Sequence, residues 1–263
     1  MVKYGDKRRC FSSFPDDPIV PFYRQELRHQ VIPDNPFVPM EKPLSTILVS
    51  CPKLGEFSCK DPAEVCRAFS PAIPCVLRQS WRETPEADFA PGVVRMGWRG
   101  DSLLVHAELS DADIFTHATQ DNERFWELGD TFEIFLRPEG QVGYVEFHVA
   151  PNNQRLQLRF AGPEALERVR QTGSIASVLV SGPAFTSATW IQPELKRWIV
   201  FAEIPVRSVC ENPGSMADSQ WHFSFGRYDF TRGRPEPVIS STSAHRKPSF
   251  HRQEEWGVMQ FVP

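Results

Sequence analysis

The amino-acid sequence predicts an all-β fold, an antiparallel β-sandwich of jelly-roll or immunoglobulin-like type with about ten strands, one or two short helices and a proline-rich N-terminal arm. Two hairpin signals and one alternating stretch carry this prediction. In the alternating stretch, Phe132, Ile134 and Leu136 share one face of a strand, because side chains alternate at period two. The 263 residues include 20 phenylalanines and seven tryptophans, a rich supply of rings for packing between sheets.

Residues 1–72 are predicted to form an extended arm, and residues 73–263 the sandwich. Prolines recur every third residue at positions 15, 18 and 21 and again at 33, 36 and 39. Proline lacks the backbone donor that helices and central strands need. Only 61–68 is predicted to form a helical turn within this arm. The N-terminus has no continuous apolar segment, so we expect no secretory signal and, by default, a cytoplasmic protein.

The first hairpin is predicted for strands 93–98 and 102–109, with Gly100-Asp101 as its two-residue turn. Pairing outward from this turn brings apolar residues opposite each other at every second position. The predicted pairs are Trp98 with Leu103, Met96 with Val105, and Val94 with Ala107.

The second hairpin is predicted for strands 144–150 and 155–160 around Asn152-Asn153, because asparagine tolerates positive φ. Pairing outward gives one apolar and one polar face. The predicted pairs are Val149 with Leu156, Phe147 with Leu158, Val145 with Phe160, His148 with Gln157, and Glu146 with Arg159.

The remaining elements follow from shorter patterns. Proline at the first turn and two apolar residues three apart predict a surface helix over 163–171. Alternation and β-branched residues predict further strands over 130–137, 175–180, 184–190, 197–204, 221–230, 236–243 and 256–261.

Composition excludes several function classes. A net charge of −4 argues against a nucleic-acid partner, since phosphate binding needs a concentrated basic surface. No apolar run reaches the length of a membrane span. The six cysteines fit no metal-binding pattern and are expected to be reduced, with the region from Cys51 to Cys75 the best place for a disulfide if one forms.

Several polar residues are candidates for a site, and each also has a structural explanation. Glu133 and Glu146 are the one pair of carboxylates suited to glycoside hydrolysis, but Glu146 is also predicted to form an ion pair across the hairpin. His148 is suited to a general base or a metal ligand, or to a neutral position on a polar sheet face. Trp126 stands in polar surroundings, either as a binding surface or as a packed ring.

Asp111 and Asp113 are the candidates for a metal site. Carboxylate oxygens are the ligands that calcium prefers, although an Asp-x-Asp sequence in a loop is also common turn chemistry.

Several pieces of the chain form an ordered set: 103–109 followed by Asp111, 126–136 (WELGDTFEIFL), 144–152 (YVEFHVAPN), 198–205 ending in EIP, 223–227, and 249–257 (SFHRQEEWG). In this order they resemble the family 9 carbohydrate-binding modules, β-sandwiches of the broad DOMON type. The resemblance covers about residues 73–263 and leaves the arm unexplained.

The resemblance implies noncatalytic carbohydrate binding associated with carbohydrate catabolism. In such modules two aromatic rings clamp a sugar that polar strand residues hold. It places Trp126 and Phe250 at the rings, Glu133 at a polar contact and His148 where some members have arginine. Gln157 and Arg227 are expected to complete the site, and the expected ligand is a mono- or oligosaccharide. No cofactor is required, but structural calcium in this group makes Asp111 and Asp113 better candidates. Members of the family are often exported.

Three alternatives remain open. Related sandwiches bind haem for electron transfer, with His148 or Met96 as axial ligands in this chain. A glycoside-processing enzyme would use Glu133 and Glu146. A purely structural sandwich would contact a partner protein through its proline-rich arm.

Overall fold

The computed structural model describes residues 47–210 and 216–263, which form two packed β-sheets. Two helices, α1 (Pro62–Ala68) and α2 (Pro163–Thr172), accompany the sheets. The strands of the described residues are β1 (Leu48–Pro52), β2 (Cys75–Val76), β3 (Gly92–Arg99), β4 (Ser102–Ser110), β5 (Thr131–Pro138), β6 (Tyr144–Val149), β7 (Arg155–Phe160), β8 (Thr186–Gln192), β9 (Arg197–Pro205), β10 (Gln220–Asp229), β11 (Val238–Ser241) and β12 (Gly257–Val262). The predicted β-sandwich is confirmed.

The larger sheet has seven strands in the order β1-β12-β10-β5-β6-β7, with β11 also paired to β10. The smaller sheet has five, in the order β2-β3-β4-β9-β8. Strands β1 and β12 pair in parallel, and the other pairings between named strands of the described chain are antiparallel. The inner faces of both sheets share one core that includes Phe132, Ile134 and Leu136, as the alternating stretch predicts.

The first hairpin has the predicted register. Val94 lies opposite Ala107, Met96 opposite Val105, and Trp98 opposite Leu103. Gly100 has a φ of +56°, a conformation that a residue with a side chain rarely adopts. The turn and the apolar pairs specify the same pairing, and the prediction is confirmed.

The predicted register of the second hairpin is wrong by one residue. His148 lies opposite Leu156, Glu146 opposite Leu158, and Phe147 opposite Gln157. The loop is longer than expected, because Val149 pairs with Arg155. Polar residues of β7 therefore share the inner face with the apolar residues of β6.

The inward polar residues of β7 have partners at the edge of the sandwich. Arg159 donates to the carbonyl of Ser208 at 2.7 Å, and Gln157 donates to the same carbonyl at 3.4 Å. Arg155 donates to the carbonyl of Phe185. The outer face of β7, which carries Leu156, Leu158 and Phe160, lies on the side that α2 packs against. Because helix α2 covers the outer face of β7, the apolar residues of this edge strand face outward and its polar residues face inward, the reverse of the predicted arrangement.

The part of the predicted arm that the structure describes belongs to the sandwich. Strand β1 joins the larger sheet beside β12. Helix α1 starts at Pro62, and Asp61 caps it by accepting the Ala63 amide at 2.9 Å. Val65 and Phe69 then pack with other apolar side chains against the smaller sheet. The rest of the predicted arm, residues 1–46, lies outside the described residues.

Of the two short segments after β7, one has the predicted structure and the other does not. Helix α2 occurs where predicted, with Leu166 and Val169 buried. Segment 175–180 is not a strand: it forms a turn and a single bridge from Leu179 to Leu158. Cys51 and Cys75 are buried free thiols. Within the described ranges, no helix is long and apolar enough to cross a membrane.

Candidate functional site

The outer face of strands β5 and β6 carries an unusual set of ionisable side chains. Alternation points Glu133 and Phe135 outward from β5, because Phe132, Ile134 and Leu136 face the core. The antiparallel register then places Glu133 opposite His148 on β6. Glu146 lies two residues before His148 and shares its face.

These side chains form one continuous chain of ion pairs and hydrogen bonds. His148 lies between two carboxylates, with Nδ1 3.0 Å from Glu133 Oε1 and Nε2 3.0 Å from Glu146 Oε2. Glu146 Oε1 is in turn 3.2 Å from Nδ1 of His251. The same Nδ1 is hydrogen-bonded to the Tyr144 hydroxyl at 2.9 Å. We call Glu133, His148, Glu146, His251 and Tyr144 the outer-face cluster.

Burial differs along this cluster. His148, Glu146 and Glu133 are 1%, 2% and 3% exposed, whereas the side chain of His251 is 17% exposed. Phe135 lies against both histidines, with ring centroids 6.3 Å from His148 and 5.8 Å from His251. The cluster therefore has a dry interior, and His251 is its contact with solvent.

Trp126 closes the buried end of the cluster. It lies in a short 3₁₀ turn, Phe125–Glu127, and its ring centroid is 5.4 Å from that of His148. The Trp126 side chain is mostly covered, at 9% exposure, and the Arg124 guanidinium lies 5.5 Å from its ring. The ring is thus part of the packed floor of this face.

The segment after β11 places Phe250 and His251 over the sheet. Glu255 anchors it by binding His245 at 3.1 Å and Arg252 at 2.8 Å. The Trp256 indole donates to the carbonyl of Phe250 at 2.7 Å. The Phe250 ring then rests on β10, where a side chain on Gly226 would lie only 2.8 Å from it. This packing requires glycine at that position.

The two carboxyl groups of the cluster have very different pKa values, because their surroundings differ. Burial raises the pKa of Glu133 to about 7, and His148 only partly offsets this. Burial also acts to raise the pKa of Glu146, but the imidazoles of His251 and His148 outweigh it and lower that pKa to about 2. Burial opposes protonation of His148, yet the two carboxylates raise its pKa. Near neutral pH, Glu146 is the carboxylate that stays fully ionised.

Four of the six predicted sugar-site residues share this face: Trp126, Glu133, His148 and Phe250. Their contact with a sugar stays a prediction. Gln157 and Arg227 require correction. Gln157 shares the inner face with Phe147, because the register of the hairpin differs from the predicted one. Arg227 pairs with Phe132, a core residue, and therefore also lies on the inner face.

Arg227 is the centre of a second buried group. Its Nη2 lies 3.1 Å from Asp111 Oδ2 and 3.2 Å from Asp229 Oδ1, and its side chain is 0% exposed. Carboxylate oxygens of Asp111, Asp130 and Asp229 approach within 4.8 Å of one another. Asp130 accepts the backbone amides of Phe115 at 2.7 Å and Phe230 at 2.8 Å. We call Arg227 and these three aspartates the arginine cluster.

The arginine cluster does not fit the expected calcium ion. Calcium needs six to eight oxygen ligands. Here Arg227 already supplies the positive charge to Asp111 and Asp229, and backbone amides occupy both oxygens of Asp130. Asp113 lies outside the cluster, where it accepts the amide of Arg232 at 2.7 Å and forms an ion pair with its guanidinium. The two predicted calcium ligands thus have separate cationic partners.

The pKa values of the arginine cluster follow from crowding of carboxylates in a buried place. Burial raises the pKa of Asp130 to about 8, and the neighbouring charge of Asp111 adds to this. Burial raises the pKa of Asp229 to about 7, although Arg227 opposes it. Asp130 is therefore mostly protonated at neutral pH.

Two other expectations concern residues of these regions. Met96 lies in the core between the sheets, whereas His148 lies on the outer face of the larger sheet, so the two do not form a common haem site. The predicted ion pair of Glu146 with Arg159 is wrong, because Arg159 lies opposite Val145 on the inner face. The charged partners of Glu146 are the two histidines instead.

His251 and Tyr144 are the members of the cluster that sequence reasoning misses. Tyr144 looks like an ordinary strand aromatic, and His251 follows Phe250 in a segment without alternation. Tyr144 and His251 are 107 residues apart in sequence, and they meet only because the segment after β11 returns to β6. The available signal is the placement of Phe250 by the family resemblance, which brings the next residue to the same face.

Comparison with known proteins gives structural relatives only. No protein-family model matches the sequence, and no curated protein matches it. A Bacteroides uniformis protein that carries a carbohydrate-binding assignment has a similar structure, with a TM-score of 0.62 and 19% identity over 82% of this chain and 100% of that one. Solved family 9 carbohydrate-binding modules of Caldicellulosiruptor kristjanssonii are also similar.

The module in complex with cellotriose gives a TM-score of 0.53 at 12% identity, over 82% of this chain and 93% of that one. The module in complex with glucose gives 0.52 at 12% identity, over 81% and 95%. The sandwich is folded like a family 9 carbohydrate-binding module. The resemblance in sequence motifs thus corresponds to a resemblance in fold.

Proposed function

We propose that the chain is a noncatalytic carbohydrate-binding protein whose site lies on the outer face of the larger sheet. The observation that carries the proposal is the outer-face cluster, a chain of ion pairs and hydrogen bonds that runs from buried Glu133 to partly exposed His251. Sugars present hydroxyl groups and C–H faces. An imidazole held in one orientation can bind the hydroxyl groups, and His251 is such a group at the surface of the cluster.

Within this proposal the predicted residues have different roles. Trp126 and Phe250 pack the floor of the site, at 9% and 4% exposure. Glu133 and His148 orient Glu146, which fixes the imidazole of His251 at the surface. The fold supports this assignment, because the family 9 modules with the same architecture were solved with glucose and with cellotriose.

A glycoside-processing enzyme is the second candidate. The separated pKa values of Glu133, about 7, and Glu146, about 2, favour it, because an acid and a base of that kind characterise many hydrolases. Two hydrolytic carboxylates must flank a bond of the substrate. His148 lies between them in this chain, 3.0 Å from each, which favours binding without reaction. Release of the aryl group from aryl glycosides, lost in Glu133→Gln, would support the enzyme instead.

A glycan array followed by calorimetric titration tests the proposed function. The array should identify at least one glycan, and glucose and cellotriose are the first ligands to titrate. Glu133→Gln should weaken binding about tenfold, because it replaces the carboxyl group whose Oε1 lies 3.0 Å from Nδ1 of His148 and orients that ring. Its thermal midpoint should stay close to that of the wild type, since burial already favours protonated Glu133. Glu236→Gln, at an exposed position, is the matched control.

Failure of the wild type to bind any glycan on the array or in the titration would contradict the proposal. Binding that survives unchanged in Glu133→Gln would remove the outer-face cluster from the site but leave carbohydrate binding standing.

A further inference from the structure

A cleft of about 680 Å³ adjoins the outer-face cluster. One wall is helix α2, which contributes Arg170, and the other is the turn that carries His251 and Gln253. Arg137, from the end of β5, and Tyr144 also line it. Pockets for small ligands commonly enclose about 300–1,000 Å³, so the cleft has room for more than one sugar ring.

Some of the polar groups that line the cleft have unused hydrogen-bonding capacity. In the described part of the chain, the buried Nε of Arg137 has no hydrogen-bond partner, and its Nη1 donates to the Gln141 carbonyl. No ion pair joins Arg170 to another described residue. The polar contacts of His251 with other described residues both go to Nδ1, which leaves Nε2 for a ligand. Unused donors of this kind are typical of a site that a polar ligand completes.

The charges of the cleft indicate the class of ligand. Two guanidinium groups, of Arg137 and Arg170, are balanced by the carboxylates of Glu164 and Glu167 along the same rim. The third carboxylate of the rim, that of Glu254, forms an ion pair with Arg252 at 3.1 Å. Neither sign dominates. Hydroxyl groups both donate and accept, so an uncharged sugar chain meets both kinds of group, whereas an acidic one would face three carboxylates.

We infer that this cleft binds an uncharged oligosaccharide, with Arg137, Arg170 and His251 as its polar contacts. The inference rests on the proposed function and names the place and the ligand class. Glu133, His148 and Glu146, the members of the outer-face cluster that do not line the cleft, position His251 and do not touch the sugar. The residues of the cleft therefore determine which sugar binds, and the outer-face cluster contributes by orienting His251.

The test is a titration of the full chain with cellotriose and with trigalacturonic acid. Arg170→Ala and Arg137→Met should each weaken cellotriose binding about tenfold, because each removes a charge-assisted hydrogen bond. Arg168→Ala is the matched control, since Arg168 is exposed on the same helix and does not line the cleft. Arg170 lies on a surface helix, so its variant should keep the thermal midpoint of the wild type.

The outcomes are distinct. Weaker binding in both cleft variants, with Arg168→Ala unchanged, supports the inference. Wild-type affinity in both cleft variants, with Glu133→Gln impaired, overturns the cleft and leaves carbohydrate binding intact. Tighter binding of trigalacturonic acid than of cellotriose overturns the uncharged class. A wild type that binds no glycan overturns the proposed function and the cleft together.

Discussion

The larger sheet carries a buried group of charges on each of its faces, and the two groups are built differently. On the inner face, the arginine cluster surrounds a guanidinium with 0% exposure. On the outer face, the outer-face cluster is held by two histidines, and one of them, His251, reaches solvent with 17% of its side chain exposed. The arginine cluster is closed to solvent, whereas the outer-face cluster reaches solvent through His251.

This difference separates a structural role from a binding role. In the arginine cluster, Arg227 and backbone amides are the partners of the aspartate oxygens, and all four residues are buried, at 8% exposure or less, so a ligand has no access to them. In the outer-face cluster, His148 orients Glu146, and Glu146 orients the imidazole of His251, which lies at the surface beside a cleft. Buried charges are costly unless they are paired, and both groups meet that condition in their own way.

The largest expected effect concerns the closed group. Arg227→Met leaves Asp111 and Asp229 without their cation, and breaking a buried pair of this kind costs about 3–5 kcal/mol. Chemical denaturation of both proteins measures this difference. Arg232→Met, which breaks the exposed pair with Asp113, should cost less than about 1 kcal/mol. Equal losses in the two variants would contradict a special role for Arg227.

A smaller effect is expected on the outer face, and it should be unequal between the two glutamates. Glu146→Gln removes the ionised partner of His148 and His251 and should cost about 2 kcal/mol of unfolding free energy. Glu133→Gln should cost clearly less, because burial raises the pKa of Glu133 to about 7 and the amide resembles its protonated form. The same denaturation experiment ranks the two, and the reverse order would refute the assigned charge states.

The pH dependence of stability follows from the raised pKa values in both groups. The pKa of Glu133 rises from 4.5 to about 7 on folding and that of Asp130 from 3.8 to about 8. The folded state therefore holds protons that the unfolded chain releases, and this stabilisation is lost as pH rises.

We expect the thermal midpoint to fall between about pH 5 and pH 8, and to fall less steeply below about pH 7 in Glu133→Gln. Thermal melts at one-unit steps of pH measure both slopes. A midpoint that rises over this range would contradict the burial of protonated carboxylates.

The smallest effect is expected for calcium. Because Arg227 supplies the positive charge of its cluster, millimolar calcium or a chelator should shift the wild-type thermal midpoint by less than about 1 °C. Arg227→Ala gives the sharper comparison, since it removes the guanidinium from among three carboxylates. Calcium should raise its midpoint more than that of the wild type. A wild type stabilised by several degrees would mean that an ion binds despite Arg227.

The two hairpins show which parts of the fold can be predicted from sequence. In the first, the turn residue Gly100 and the apolar pairs specify one register. In the second, local pattern alone gave the wrong register, because the polarity of β7 is decided by distant groups. These are the carbonyls of Ser208 and Phe185 on one side and helix α2 on the other. Strand β1 escaped prediction for a similar reason, since its partner β12 ends the chain.

The candidate site shows the same limit. Glu133 and His148 were predictable as neighbours, because both lie on strands whose alternation is clear. The family resemblance, which includes segment 223–227, predicts Arg227 in the sugar site, but alternation along β10 turns it inward with Phe225 towards the core. His251 carries no local signal, and only the folded chain brings it to Glu146.

The most direct test of the account is nitrogen-15 NMR of the histidine side chains during a titration with cellotriose. Ligand in the cleft should shift the Nε2 resonance of His251, while His106, which is 1% exposed and lies under α1 beside Phe69, should not move. A His251 resonance that stays fixed while cellotriose saturates the protein would place the sugar elsewhere and contradict the central claim.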